Sequence, residues 1–226
     1  MEKLLIWFYA FKKQTYIPNR YDIYIRENFT PLKEVEDMDY PWVLYNPEIN
    51  GYPPSKRWAL PKELYLIIQR NTKIMFDFLP YQYAIYIVSD LFLNKVLLPN
   101  RVSFEMAKLN IVSKNAKKLD VNKNYYAVRI NQFDDDLFNF PIEGRKRAAG
   151  LEDEFIYPNM QLKEYTTKNV FFIDRLPYSE SFIFKSSYSS VIKECYKPIV
   201  YAIEDFYLAY NNKTSDKIDN IVKPLW

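Results

Sequence analysis

The chain has 226 residues, 49% apolar and 26% charged, with a net charge of +3, one cysteine, three glycines and no histidine. Those fractions describe a globular chain and exclude an internal disulfide, and the charge lies far below the basic excess of a nucleic-acid binder. Lack of histidine removes the usual proton shuttle and the commonest metal ligand, so composition points to binding, with no cofactor and no metal.

Residues 4–11 form an unbroken apolar run too short to span a bilayer, which takes about 20 residues. Acidic Glu2 and the lack of a small-x-small site before Lys12 speak against a signal peptide, so a buried first strand is expected in a cytoplasmic protein that meets no membrane. Strands are predicted over 21–26, 63–69, 73–78, 83–88, 102–113, 124–131, 169–175, 181–185 and 199–203, where aromatic and β-branched residues concentrate. Asn71-Thr72 suits a turn that would pair the 63–69 and 73–78 runs as a hairpin.

Ser89 is placed to cap a helix over 90–98 that Pro99 stops. Ser186 or Ser187 is placed to start a second one, with Val191, Ile192 and Cys195 inward, ended by Pro198. Residues 32–38 are a weaker helical candidate, and 205–210 is ambiguous. The shared strand–serine–helix pattern fits either a duplicated unit or two ordinary serine caps. The expected class is α+β, mainly antiparallel sheet with two short serine-capped helices, in a single globular domain over 1–226.

Two irregular excursions interrupt this pattern. Residues 40–58 hold four prolines and several aromatics, which point to an ordered, extended loop without regular structure. Trp42, Tyr45, Tyr52 and Trp58 have the profile of interface anchors, large in area and poor in rotamer entropy. On that reading, Trp42 or Trp58 could be truncated without harm to the fold. The alternative use of the same rings is to close one end of the core.

Residues 134–159 carry Asp134-Asp135-Asp136, then Arg145-Lys146-Arg147, then Glu152-Asp153-Glu154. Neighbouring carboxylates in an extended segment point to opposite faces, so the first triplet reads as a solvated turn, not a metal site. The basic triplet reads as locally ion-paired, and Asp134, Asp135, Arg145 and Arg147 are candidates for steering a protein partner. The alternative function is a carbohydrate-binding or carbohydrate-processing protein, using aromatic platforms and facing carboxylates.

The succession Gly51-Tyr52-Pro53, Phe76-Asp77-Phe78 and Ile87-Val88-Ser89-Asp90-x-Phe92-Leu93 resembles bacterial polymorphic-toxin immunity proteins. Tyr125-Tyr126-Ala127-Val128-Arg129-Ile130 followed by Asp134, and the late strand–Ser–helix over 184–193, extend the resemblance to about residues 40–203. Lys185 stands where that pattern has an aliphatic residue, and Asp135-Asp136 lengthen its single aspartate. The resemblance implies a non-catalytic antidote that binds and neutralises a cognate toxin domain. It assigns no functional residue.

Overall fold

Why Leu4–Phe8 is apolar on both faces is answered by its place in a sheet. A computed structural model describes residues 2–9, 14–31, 40–51, 54–70, 73–82, 84–115, 117–163 and 166–226. The chain divides into two compact units. Among the described residues the class is α+β, with sheets that are mainly antiparallel and helices that are short. The helical candidate at 32–38 and the turn Asn71-Thr72 lie outside the described residues.

The first unit comprises Met1–Lys13, Asn94–Val102 and Gln132–Trp226. Leu4–Phe8 runs between Ser181–Lys185 and Val200–Ala202, antiparallel to both, with Val170–Phe171 beyond Ser181–Lys185. A central strand covered on both faces has no solvent side to keep polar, hence the absence of alternation. Leu4, Ile6 and Phe8 enter one core with Tyr178, Phe206 and Tyr210, and Phe206 meets Phe8 edge-on at 5.2 Å. Trp7 points to the other face against Phe182, at 5.6 Å. Each such side chain contributes roughly 1.5–3 kcal/mol relative to exposure. The ambiguous 205–210 stretch is helix, Phe206–Asn211.

The second unit comprises Gln14–Leu93 and Ser103–Asn131. Its sheet runs, in order, Ile23–Arg26, Glu63–Ile68, Phe104–Ser113, Tyr125–Ile130, Ile85–Ser89 and Phe78–Gln82. All neighbours are antiparallel except Glu63–Ile68 with Phe104–Ser113. The register sets Ile25, Leu66, Ala107, Ala127 and Ile87 on one buried face. Met106, Lys108 and Tyr126 turn to the other, more exposed face.

The expected hairpin between 63–69 and 73–78 is not formed. Glu63–Ile68 pairs with Ile23–Arg26 and Phe104–Ser113, and Lys73–Ile74 pairs with Asp120–Val121. A parallel partner needs a long crossover, so adjacency in sequence misleads here. Phe78–Gln82 instead pairs antiparallel with Ile85–Ser89.

The two strand–serine–helix lead-ins also differ. Ser89 Oγ accepts from Phe92 N at 3.2 Å and caps Asp90–Phe92, which continues as a π turn over Leu93–Leu97. After Ser181–Lys185 the chain takes a 3-10 turn, Ser186–Tyr188, before Ser189–Ile192, and no side chain caps either start. There the Ser187 hydroxyl bonds Glu2 and the Ser189 hydroxyl bonds the Ser186 carbonyl.

Candidate functional site

Arg129 organises the aromatic loop. It lies on Tyr125–Ile130 and is 2% exposed. Nη1 donates to the Trp42 carbonyl at 2.8 Å, Nη2 to the Trp58 carbonyl at 2.9 Å, and Nε to Glu105 Oε2 at 2.9 Å. Its guanidinium also sits over the Tyr45 ring, 4.4 Å from the centroid. Glu105 faces Arg129 across the two strands, so the carboxylate arrives by register. A planar fork with five donors suits three acceptors at fixed angles, which an ammonium cannot reproduce.

Further bonds hold the loop from within. Trp42 Nε1 donates to Glu27 Oε1 at 2.9 Å, and the Tyr40 and Trp42 rings stack at 5.7 Å. Tyr45 Oη donates to the Gly51 carbonyl at 2.9 Å, across a turn in which Gly51 takes a φ of +74°. One helical turn, Pro47–Asn50, interrupts a stretch expected to lack regular structure. Proline is tolerated at the first position of a turn because its missing N–H would be unpaired there anyway.

Trp42 and Tyr45 are therefore interior residues. The expectation that Trp42 could be truncated harmlessly is corrected, because removing a buried indole opens a cavity. Trp58 is half-buried with Arg57 over its ring at 4.9 Å, and Tyr52 lies outside the described residues. Among the described residues of the loop, the large apolar side chains offered to solvent are Leu44, 57% exposed, and Ile49, 79% exposed. Sequence reading missed both, together with Arg129 and Glu105. The available signal was an arginine inside an otherwise apolar strand.

The charged excursion belongs to the other unit and is more ordered than an excursion from a sheet. Phe138, Ala148, Ile156 and Tyr157 are buried in that unit's core, and Lys146–Arg147 pairs with Phe155–Ile156. Asp134 is not a solvated turn residue. It is 6% exposed, accepts from Phe172 N at 3.0 Å, and receives Lys168 Nζ at 2.6 and 2.8 Å.

Burial pushes the Asp134 carboxyl above its ordinary range, partly offset by the Lys168 ammonium. The Asp135 carboxyl is also raised by burial, against the Asp174 amide and the Arg175 guanidinium. Arg145 and Arg147 are exposed. In place of the expected local ion pairs, Arg145 lies over Phe155 at 3.7 Å and Lys146 over Tyr207 at 5.7 Å. Among the described residues no three acidic or thiol side chains gather as metal ligands, and no helix is long and apolar enough to cross a membrane.

Three of the motif pieces that carry the resemblance, Phe76–Phe78, Ile87–Leu93 and Tyr125–Ile130, lie together in the second unit, whereas Asp134 and the strand–Ser–helix over 184–193 belong to the first. Asp77, with no exposed surface, receives the Ser89 hydroxyl and Lys123 Nζ, the latter at 2.6 Å. Tyr125 Oη donates to the Phe76 carbonyl at 3.1 Å and accepts from Phe76 N at 3.2 Å. The family model for immunity protein 43 matches residues 10–217. The chain belongs to the immunity protein 43 family. A comparison with curated proteins gave no match.

Within this family member these three pieces thus brace a strand–helix junction. Burial pushes the Tyr125 hydroxyl up to about 12 from 10.0. An acid whose folded pKa is raised adds stability below its unfolded pKa and loses it as pH rises through the folded value. Stability should therefore fall between about pH 10 and 12, by about 3 kcal/mol from this group. Tyr125→Phe should flatten that part of the profile in urea titrations, and an unchanged slope would refute the assignment.

Proposed function

We infer that this immunity protein binds a cognate bacterial toxin domain in the cytoplasm and neutralises it by contact, with no catalysis of its own. The observation that carries the reading is the Arg129-clamped loop in a chain of this family, which presents Leu44 and Ile49 on a prepared frame. A loop ordered before encounter gives up less entropy on binding, and exposed apolar side chains on it supply anchors. Arg57, Arg145 and Arg147 are exposed charges suited to steering the encounter.

The test is co-expression with candidate toxin domains from genes neighbouring this one, read by cell survival and by titration calorimetry. Leu44→Asp/Ile49→Asp should weaken association by about a hundredfold, as loss of interface anchors does. Both positions face solvent, so Tm should move by less than about 2 °C. Full protection by the double variant would rule out this face, and no association with the wild-type chain would rule out the reading itself.

A further inference from the structure

The Phe104–Ser113 strand has an open side. Tyr125–Ile130 pairs with it over residues 104–108 only, whereas Glu63–Ile68 pairs with residues 108–113 on the opposite side. Among the described residues, positions 109–113 therefore have a ladder neighbour on one side alone.

Which backbone groups face the open side follows from the ladder. Lys108 N donates to the Lys62 carbonyl and Lys114 N to the Ile68 carbonyl, each at 2.9 Å. Strand residues direct their N–H and C=O alternately to the two sides, so Ile111 and Ser113 present theirs away from Glu63–Ile68.

A groove of about 490 Å³ lies along this stretch, walled on its far side by the chain from Lys117 to Tyr125. Its charge is one-sided. Residues 108–124 hold five lysines and one aspartate in a chain whose net charge is +3, so the rest of the chain is close to neutral. Lys108, Lys117 and Lys118 are exposed in its lining, Lys123 is engaged by buried Asp77, and no aspartate or glutamate lines it among the described residues. Glu63 stands at the flank, 3.4 Å from Asn110 Nδ2. Lysines beside an open strand edge discourage indiscriminate pairing and favour an acidic partner.

We propose that this slot takes an extended, acidic segment of the protein partner as an added strand, with Ile111 and Ser113 supplying main-chain bonds and Lys108, Lys117 and Lys118 meeting its carboxylates. The occupant is a peptide and not a nucleic acid, because the groove offers few cations and its aromatic residues are not free platforms for base stacking. The proposal deepens the toxin-binding reading and rests on it.

The experiment uses the full chain and a labelled peptide of alternating Glu and Val. Fluorescence anisotropy should report binding, and hydrogen exchange at the Ile111 and Ser113 amides should slow in the complex. The same peptide N-methylated at alternate residues should not bind, since it cannot form a ladder. Lys117→Gln/Lys118→Gln should weaken binding about fivefold. Ile111→Pro should abolish it while leaving the circular dichroism unchanged, as Pro is tolerated where the N–H faces outward. If that variant does not fold, the lysine variant and the N-methylated peptide decide.

Equal binding of the N-methylated peptide or of a Lys-Val counterpart, no binding at all, or binding of oligothymidine in place of the peptide would each overturn the proposal. Toxin association that persists undiminished in the lysine variant would remove the slot and leave the toxin-binding reading standing. Failure of the wild-type chain to associate would remove that reading instead.

Discussion

Arg129→Met is expected to destabilise the second unit by about 3–5 kcal/mol, the usual consequence of removing one member of a buried charge pair. Glu105 would keep its charge without a partner, and the Trp42 and Trp58 carbonyls would lose their donors in one step. Arg129→Lys should recover only part of the loss, because one ammonium cannot span three acceptors. Urea denaturation would show the stability change. Limited proteolysis should reveal new cleavage within residues 40–58 of Arg129→Lys under conditions where the rest of the chain survives. A variant as resistant as the wild type would mean that the loop holds its shape without the guanidinium.

The second large effect is expected at Asp77. Asp77→Ala should cost about 3 kcal/mol, since it leaves the Ser89 hydroxyl and the Lys123 ammonium without their common acceptor. Ser89→Ala should cost about 1–2 kcal/mol, combining the lost helix cap with one lost bond to the carboxylate. Because both residues serve one network, the double variant should lose less than the sum of the two, by about 1 kcal/mol. Strict additivity in the double-mutant cycle would show that the cap and the carboxylate act independently.

Much of the fold was legible in the chain. Aromatic and β-branched runs mark the sheet strands because side-chain shape on a pleated surface is a local property. Unbroken apolarity in Leu4–Phe8 marks burial on both faces. Pairing was not legible, as Glu63–Ile68 shows: its parallel neighbour lies beyond a crossover, and nothing in either strand names the other.

The candidate site was legible only in outline. The aromatic loop was located, but what Arg129 holds shows only when Trp42 and Trp58, distant in sequence, are folded onto it. Asp134 reads as a turn carboxylate until Lys168 and the Phe172 amide close around it. A buried polar group is defined by partners that arrive from afar, so its identity alone cannot disclose its burial. Exposed apolar residues such as Leu44 and Ile49 share this opacity, because an apolar residue in a loop looks the same whether it faces in or out.

On the proposed toxin-binding reading, the grip on the aromatic loop has a consequence for how specificity can drift. Arg129 grasps peptide oxygens, which every amino acid carries, and leaves the outward side chains untouched. Leu44 and Ile49 can therefore be exchanged for residues matching a different target while the scaffold beneath them stays intact. Such a separation lets recognition diversify quickly from an unchanging mount.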